Sequence, residues 1–314
     1  MSRMTRESRW RADQMPDQDG RVFVVTGANS GLGLATTRAL ARKGARVVLA
    51  VRDEEKGRRA AAQLTSEQAR ARLEVRPLDL SDMASVRAFA DGLKADGMHP
   101  DVLVNNAGLM APPRTLTADG HEVQFAANHL GHFALTALLL ELMAGSDDPR
   151  VVTVTSANHR QGQIFFDDLT GERKYAPMGY YNQSKLANAL FGWELHRRLS
   201  AAGSRVRSVL AHPGYSSTGL QTSAPVGRVK FVFGRLLLPL AQTSEQGALP
   251  QLYAATDPQA RGGELYGPDG MGELRGAPKR VELAPRATDP AAAGRLWQLS
   301  EELTGVSFAL PAVV

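Results

Sequence analysis

The stretch Val22-Phe-Val-Val-Thr-Gly-Ala-Asn-Ser-Gly-Leu-Gly-Leu-Ala35 decides the fold. A run rich in β-branched residues ends in a glycine turn, and a helical pattern follows at once. Gly27, Gly31 and Gly33 let the backbone turn sharply and approach a ligand with no Cβ in the way. A helix starting near Gly31 offers unpaired N–H groups and its positive dipole end, an arrangement suited to a pyrophosphate. A glycine turn alone equally suits an ordinary tight connection. Between a strand and a helix it reads as a dinucleotide site.

The same alternation continues outward from this stretch. Helix-like 34–43 is closed by Gly44, and strand 47–51 precedes a charged helix over 53–64. Strand 73–78 ends at Asp79-Leu80, Ser81 is the expected N-cap of a helix through 95, and strand 101–105 runs into Asn105-Asn-Ala-Gly108. One helix then carries Val123, Phe125, Leu130, Phe133, Leu135, Leu138 and Leu142. Strand 150–155, helix 180–200 and strand 206–211 complete the regular part. Near-continuous apolar strands alternating with helices predict an α/β fold, a doubly wound parallel sheet of about seven strands covered on both faces. No composition break divides the chain, so a single domain over 21–305 is expected, with a C-terminal tail at 306–314.

Beyond Ala211 the pattern weakens. Pro213-Gly214 and Pro225 punctuate it, with helices expected over 229–240 and 243–255, a last strand over 263–267, loop over 267–290 and a terminal helix over 291–303. Ligand crevices in such folds lie outside the carboxyl ends of the strands, which makes 214–240 the expected substrate lid. Residues 1–20 read as a loosely attached polar arm, with Trp10 docking on the body.

Composition removes several functions. The 314 residues are 43% hydrophobic and 22% charged, with a formal net charge of +5. That mild, dispersed excess gives little support to nucleic-acid binding and suits an anionic small ligand. The absence of cysteine excludes disulfides, thiolate nucleophiles and Cys-ligated metals, and the seven histidines form no HExxH pattern. No metal is expected. The longest apolar runs, 133–142 and 231–240, fall well short of the ~20 residues a membrane span needs, and the N-terminus has no signal-peptide core. A cytoplasmic protein is expected.

Tyr181-Asn-Gln-Ser-Lys185 is the sharpest chemical feature, because a spacing of four puts both side chains on one helix face. A phenol of pKa about 10 is a poor acid–base group at neutral pH. A lysine ammonium ~4 Å away favours the phenolate by about 4 kcal/mol at an effective dielectric near 20, roughly three pKa units. Ser156 follows a strand at its ligand end, where its hydroxyl can polarise a carbonyl or simply cap a turn. Asn128 lies among apolar residues in a helix and needs partners, either as a structural amide or holding a backbone group and a water near the lysine.

Thr26-Gly-x-x-x-Gly-x-Gly33, Asn105-Asn-Ala-Gly108, Asn128, Ser156, Tyr181-x-x-x-Lys185 and His212-Pro-Gly214 stand in the order and spacing of the classical short-chain dehydrogenase/reductases. The chain resembles that family over about residues 20 to 305. Asn128-His-Leu-Gly-His-Phe133, Ser184-Lys-Leu-Ala-Asn188 and the gap between Ser156 and Tyr181 are similar to its retinol dehydrogenase and protochlorophyllide reductase-like branch. The resemblance implies a Rossmann fold and hydride exchange between a nicotinamide and a carbonyl carbon. It implies that Tyr181 gives or takes the proton, Lys185 tunes it and holds the nicotinamide ribose, Ser156 positions the substrate oxygen, and Asn128 supports a water. Gly27, Asn29, Ser30, Gly31, Leu32 and Gly33 would then hold the pyrophosphate side, Asp79 and Leu80 the adenine, and Asn105, Ala107 and Gly108 the adenosine side. Pro213, Gly214 and Thr218 would lie against the nicotinamide end.

Cofactor choice turns on Leu49-Ala-Val-Arg-Asp53. NAD-specific members of the family place an acid where this chain has Val51. Arg52 follows it and suits a 2′-phosphate, while Asp53 serves as the next N-cap, so NADP(H) is preferred over NAD(H). The expected activity is reduction of a medium-sized, fairly apolar aldehyde or ketone, or the reverse. Leu109, Met110, Tyr175, Met178, Tyr215, Phe231, Val232, Phe233 and 236–238 are candidate walls. The alternatives are a catalytically silent NADP-binding regulatory or scaffold protein, and a C=C reductase of the same branch. The chain lacks the cysteine of light-dependent protochlorophyllide reductases, and its hydrophilic N-terminus leads us to expect no membrane anchor like that of many animal retinol dehydrogenases. The association state is open between homodimer and homotetramer.

Overall fold

The computed structural model describes residues 9–215 and 242–310. Its strands are β1 (Val22–Thr26), β2 (Arg46–Val51), β3 (Arg72–Pro77), β4 (Val102–Asn105), β5 (Arg150–Val154), β6 (Arg207–Ala211), β7 (Leu265–Pro268) and β8 (Pro278–Val281). They form one sheet in the order β3-β2-β1-β4-β5-β6-β7-β8. The first seven run parallel. The order reverses at β1, between β2 and β4, which opens a crevice at the carboxyl ends.

Alternation along the strands feeds two cores. Val24, Val48, Ala50, Leu103 and Val151 face one side. Phe23, Val25, Val47, Leu49, Val102 and Val152 face the other. The helices that cover them are α1 (Gly31–Arg42), α2 (Glu54–Glu67), α3 (Met83–Ala95), α4 (Val123–Phe125), α5 (Gly131–Met143), α6 (Pro177–Ala201), α7 (Ser244–Gly247), α8 (Leu249–Thr256) and α9 (Pro290–Thr304). Among the described residues, no helix is long and apolar enough to cross a membrane.

Four expectations are corrected. The eighth strand lies inside 267–290, expected as loop, and pairs antiparallel with β7 from Leu265↔Val281 to Pro268↔Pro278. Pro278 begins an edge strand, where its missing N–H costs no ladder bond. Asp82, not Ser81, caps α3, accepting from Ala84 N at 2.9 Å, while Ser81 turns its hydroxyl to Asp79 Oδ1 at 2.6 Å. The expected helix from Val123 to Leu142 is broken by a π turn, Ala126–Leu130, which holds Asn128. The single helix expected over 243–255 is two short helices, α7, which Thr243 caps, and α8. The expected helix 229–240, most of the lid 214–240 and Thr218 lie outside the described residues, as do Phe231, Val232, Phe233 and 236–238.

Residues 9–20 are seated on the body. Trp10 packs edge-on to Tyr253 with ring centres 5.4 Å apart, Met15 is buried, and Gln18 N donates to Lys43 O at 2.7 Å.

Candidate active site

The glycine turn is built by close backbone approach. Gly27 has φ +67°, and a Cβ on Gly33 would lie 2.3 Å from Gly27 O. Thr26 Oγ1 accepts from Asn106 N and Ala107 N at 2.9 Å each, and its own proton goes to His132 Nε2 at 2.9 Å. Asn106 Nδ2 donates to Thr26 O at 2.7 Å. The ends of β1 and β4 are thereby tied across the switch point.

A cleft of about 650 Å³ opens there, lined by Gly27, Asn29, Ser30, Gly31 and Leu32 on one side, and by Asp79, Leu80, Ala107 and Gly108 on the other. A glycine cradle that a Cβ would fill, beside a helix N-terminus, fits the pyrophosphate of a dinucleotide. Gly33 lies behind this lining as packing. Asn105 is turned away: its side chain is buried and donates to Thr136 Oγ1 at 2.9 Å. Asn106, which the sequence reading passed over, lines the cleft instead.

Val51 is buried and leaves no acid at the end of β2. Arg52 is exposed beside the cleft, and Asp53 faces its own helix, accepting from Lys56 N at 3.0 Å. Lys56 and Arg59 line the same rim. Sequence reasoning missed both, although 52, 56 and 59 stand at one-turn spacing. They pair with Asp53 at 2.9 Å and Glu55 at 2.6 Å at the exposed rim, where such pairs are weak and readily exchanged.

Gly108 is the seam between this cleft and the Asn128–Lys185 cluster. A Cβ there would lie 3.2 Å from Asn128 Oδ1 and 3.5 Å from Lys185 Nζ. Asn128 is fully buried; Oδ1 accepts from Leu109 N at 2.7 Å, and Nδ2 donates to Leu109 O at 2.9 Å and Ser184 Oγ at 2.8 Å. It holds the β4 loop against α6. His132 supports it from behind, with Nδ1–H donating to Asn128 O at 2.9 Å. Burial pushes His132 down to about 4, so the imidazole is neutral.

Tyr181 is 8% exposed, and the Ser156 hydroxyl lies near enough to act on its phenol. Burial raises the phenol's pKa, and the Ser156 hydroxyl acts against that rise. This departs from the expected lowering by Lys185. Lys185 Nζ lies 5.9 Å from the Tyr181 ring centre and turns to Val154 O at 3.4 Å. Burial pulls the ammonium itself down to about 8. Desolvation is the leading cause of both shifts.

Ser156 takes the capping role: its Oγ accepts from Asn158 N at 3.3 Å and caps the turn Ala157–Gln161. His159 Nδ1–H donates to Ser156 O at 2.7 Å, and Nε2 accepts from Ala284 N at 3.2 Å. Asn158 reaches Asn182 Oδ1 on α6 at 2.8 Å. The two polar residues after Ser156 are scaffold.

Tyr175, expected as a wall, is a strut. Its hydroxyl bonds Glu122 Oε1 at 3.0 Å and Pro112 O at 3.2 Å, and Gln124 Oε1 accepts from Ala111 N at 2.8 Å. Ala111 has φ +51°, a left-handed backbone held in place by this network. Pro213 and Gly214 sit at the carboxyl end of β6, where Gly214 has φ +68°. Among the described residues no group of three His, Cys, Asp or Glu side chains could hold a metal.

The family model for short chain dehydrogenases matches residues 21–227. Human retinol dehydrogenase 12 is 42% identical over 287 residues, covering 91% of this chain and 87% of that protein. Mouse polyprenol dehydrogenase is 40% identical over 304 residues, covering 94% and 87%. A crystal structure of a protein from Mycobacterium paratuberculosis shares 45% of its sequence and superposes with a TM-score of 0.81, covering 96% of this chain and all of that one. A nicotinamide cofactor follows from the fold and from the glycine cradle. The chain belongs to the short chain dehydrogenase family, on its retinol dehydrogenase-like branch.

Proposed function

We propose that the protein is an NADP(H)-dependent oxidoreductase that interconverts an apolar, medium-sized aldehyde or ketone and its alcohol, with Tyr181 as proton donor and acceptor. The observation that carries this reading is the buried Tyr181–Lys185 pair on α6, with Lys185 Nζ 5.9 Å from the phenol ring centre, joined to the nucleotide cleft at Gly108. A bound nicotinamide supplies the hydride. Ser156 holds the substrate oxygen near the phenol, and Tyr181 passes its proton to that oxygen as negative charge develops. Lys185, partly deprotonated near neutral pH at a pKa of about 8, is suited to proton exchange with Tyr181 and water. Asn128 keeps Leu109 and Ser184 in register around it.

The preference for NADP(H) rests on Arg52, Lys56 and Arg59 at the cleft rim and on Val51 in place of an acid. An apolar substrate is supported by the half-buried Leu109 and Met110, and by retinol and polyprenol in the relatives' names. The test is NADPH consumption across aldehydes, ketones and quinones, followed by Tyr181→Phe on any active substrate. Turnover disappears while NADPH binding stays within about threefold of wild type, a ratio worth less than 1 kcal/mol. Full activity in Tyr181→Phe sinks the assignment.

A further inference from the structure

Two turns bound the reacting groups at the carboxyl ends of neighbouring strands: Ala157–Gln161, opened by Ser156 after β5, and 212–215 after β6. A third segment, 269–277 between β7 and β8, reaches both. Glu273 in this segment is one of two non-glycine residues with positive φ among the described residues, at +56°. Glycine adopts that backbone without strain, and a carboxylate side chain there needs a reason.

The carboxylate supplies it. Glu273 Oε2 accepts from His212 Nε2 at 2.9 Å and from Arg160 Nη2 at 2.8 Å. Arg160 belongs to the Ser156 turn, and His212 opens the other. Gly214 N donates to His212 Nδ1 at 3.3 Å, which assigns the imidazole proton to Nε2. The ring is fully buried and tightly enclosed, since a Cβ on Gly267 would lie 2.1 Å from Nε2. Backbone contacts repeat the clasp: Tyr215 N donates to Leu274 O at 2.8 Å, and a Cβ on Gly214 would lie 2.5 Å from that oxygen. The His212 bond, then Arg160, hold the Glu273 carboxyl at about 2 against partial burial.

We propose that Glu273 is a positioning residue for the carbonyl chemistry, a single strained carboxylate that sets the separation of the Ser156 turn and the 212–215 turn. This rests on the roles given above to Ser156 and Tyr181. The clasp touches no reacting atom. It sets where Ser156 presents its hydroxyl to Tyr181.

Glu273→Gly in the full-length protein separates positioning from stability, because glycine relieves the backbone strain while the carboxylate is lost. The thermal midpoint is expected within about 3 °C of wild type. The expected kcat on any substrate found with NADPH falls at least about tenfold, with NADPH binding within about threefold. Amide hydrogen exchange accelerates in both turns and not in β1–β4. Glu273→Gln, which keeps an acceptor for His212 without the charge facing Arg160, falls between the two and serves if the glycine variant is poorly folded. A kcat within twofold of wild type in Glu273→Gly, or faster exchange in one turn only, overturns the proposal. If Tyr181→Phe retains full turnover, the catalytic reading fails by itself, and the exchange experiment still decides whether Glu273 clasps both turns.

Discussion

Acidification from about pH 7.5 to about pH 5 removes stability held by three buried histidines, a loss on the scale of the 5–15 kcal/mol typical of a whole domain. Burial pushes His129 down to about 3, and His132 and His159 to about 4, from an ordinary value of 6.5. The unfolded chain takes up protons at these sites as pH falls through 6.5, and the folded chain does not until 4 or below. Across that window the unfolded state binds more protons, so the free energy of unfolding falls with pH. The contribution is fully present above 6.5, and is lost down to 4 for His132 and His159 and to 3 for His129. One pKa unit is about 1.4 kcal/mol, and at pH 5 about one and a half units have been lost, roughly 2 kcal/mol per histidine. Asp148 and Glu273, each held at about 2, stay charged throughout and add their own losses only under more acid conditions. Urea unfolding followed by tryptophan fluorescence at a series of pH values reads the sum, and histidine ring NMR reads each site. A stability change below about 1 kcal/mol, or three rings titrating near their ordinary value, refutes the reasoning. The effect reaches the active site, because His132 carries the Asn128 carbonyl and His159 the Ser156 carbonyl.

Gly33→Ala drives a methyl group to within 2.3 Å of Gly27 O, where backbone must move. It is expected to cost about 1–3 kcal/mol, roughly 5 °C in thermal midpoint, and to weaken NADPH binding, read by thermal shift with and without NADPH. Arg52→Ala raises KM for NADPH about 10- to 150-fold and leaves KM for NADH within about threefold; equal kcat/KM for both cofactors in wild type, unmoved by the substitution, rejects the 2′-phosphate reading. Asp148→Ala strips the carboxylate from Arg150, whose side chain is 1% exposed at the amino end of β5. It is expected to cost about 3 kcal/mol in urea unfolding with kcat/KM at 25 °C near wild type, since the site is at the opposite end of the sheet.

Local features were legible without the fold. The glycine turn, the apolar strands and the Tyr181–Lys185 spacing each depend on residues within a few positions of one another, so pattern suffices. Asp53 as N-cap and neutral Val51 at the end of β2 were readable for the same reason. Lys56 and Arg59 were within reach of the same reasoning through their helical spacing beyond Arg52.

Other features exist only as pairings between distant segments. β8 contains Pro278-Lys-Arg-Val281, with no strand signature, and becomes a strand because β7 offers it an edge. Asn105 and Asn106 are adjacent and chemically identical; the pleat alone sends the first into the core and the second to the cleft. Thr26 meets His132 across 106 positions, and Arg160 meets Glu273 across 113. The sequence by itself determined the doubly wound sheet and the family, because those follow from short-range periodicity and motif spacing. Only the tertiary structure decided that Lys185 faces Val154, that a π turn presents Asn128, and that Glu273 clasps the two turns, because desolvation and long-range hydrogen bonds have no value until the chain has closed around them.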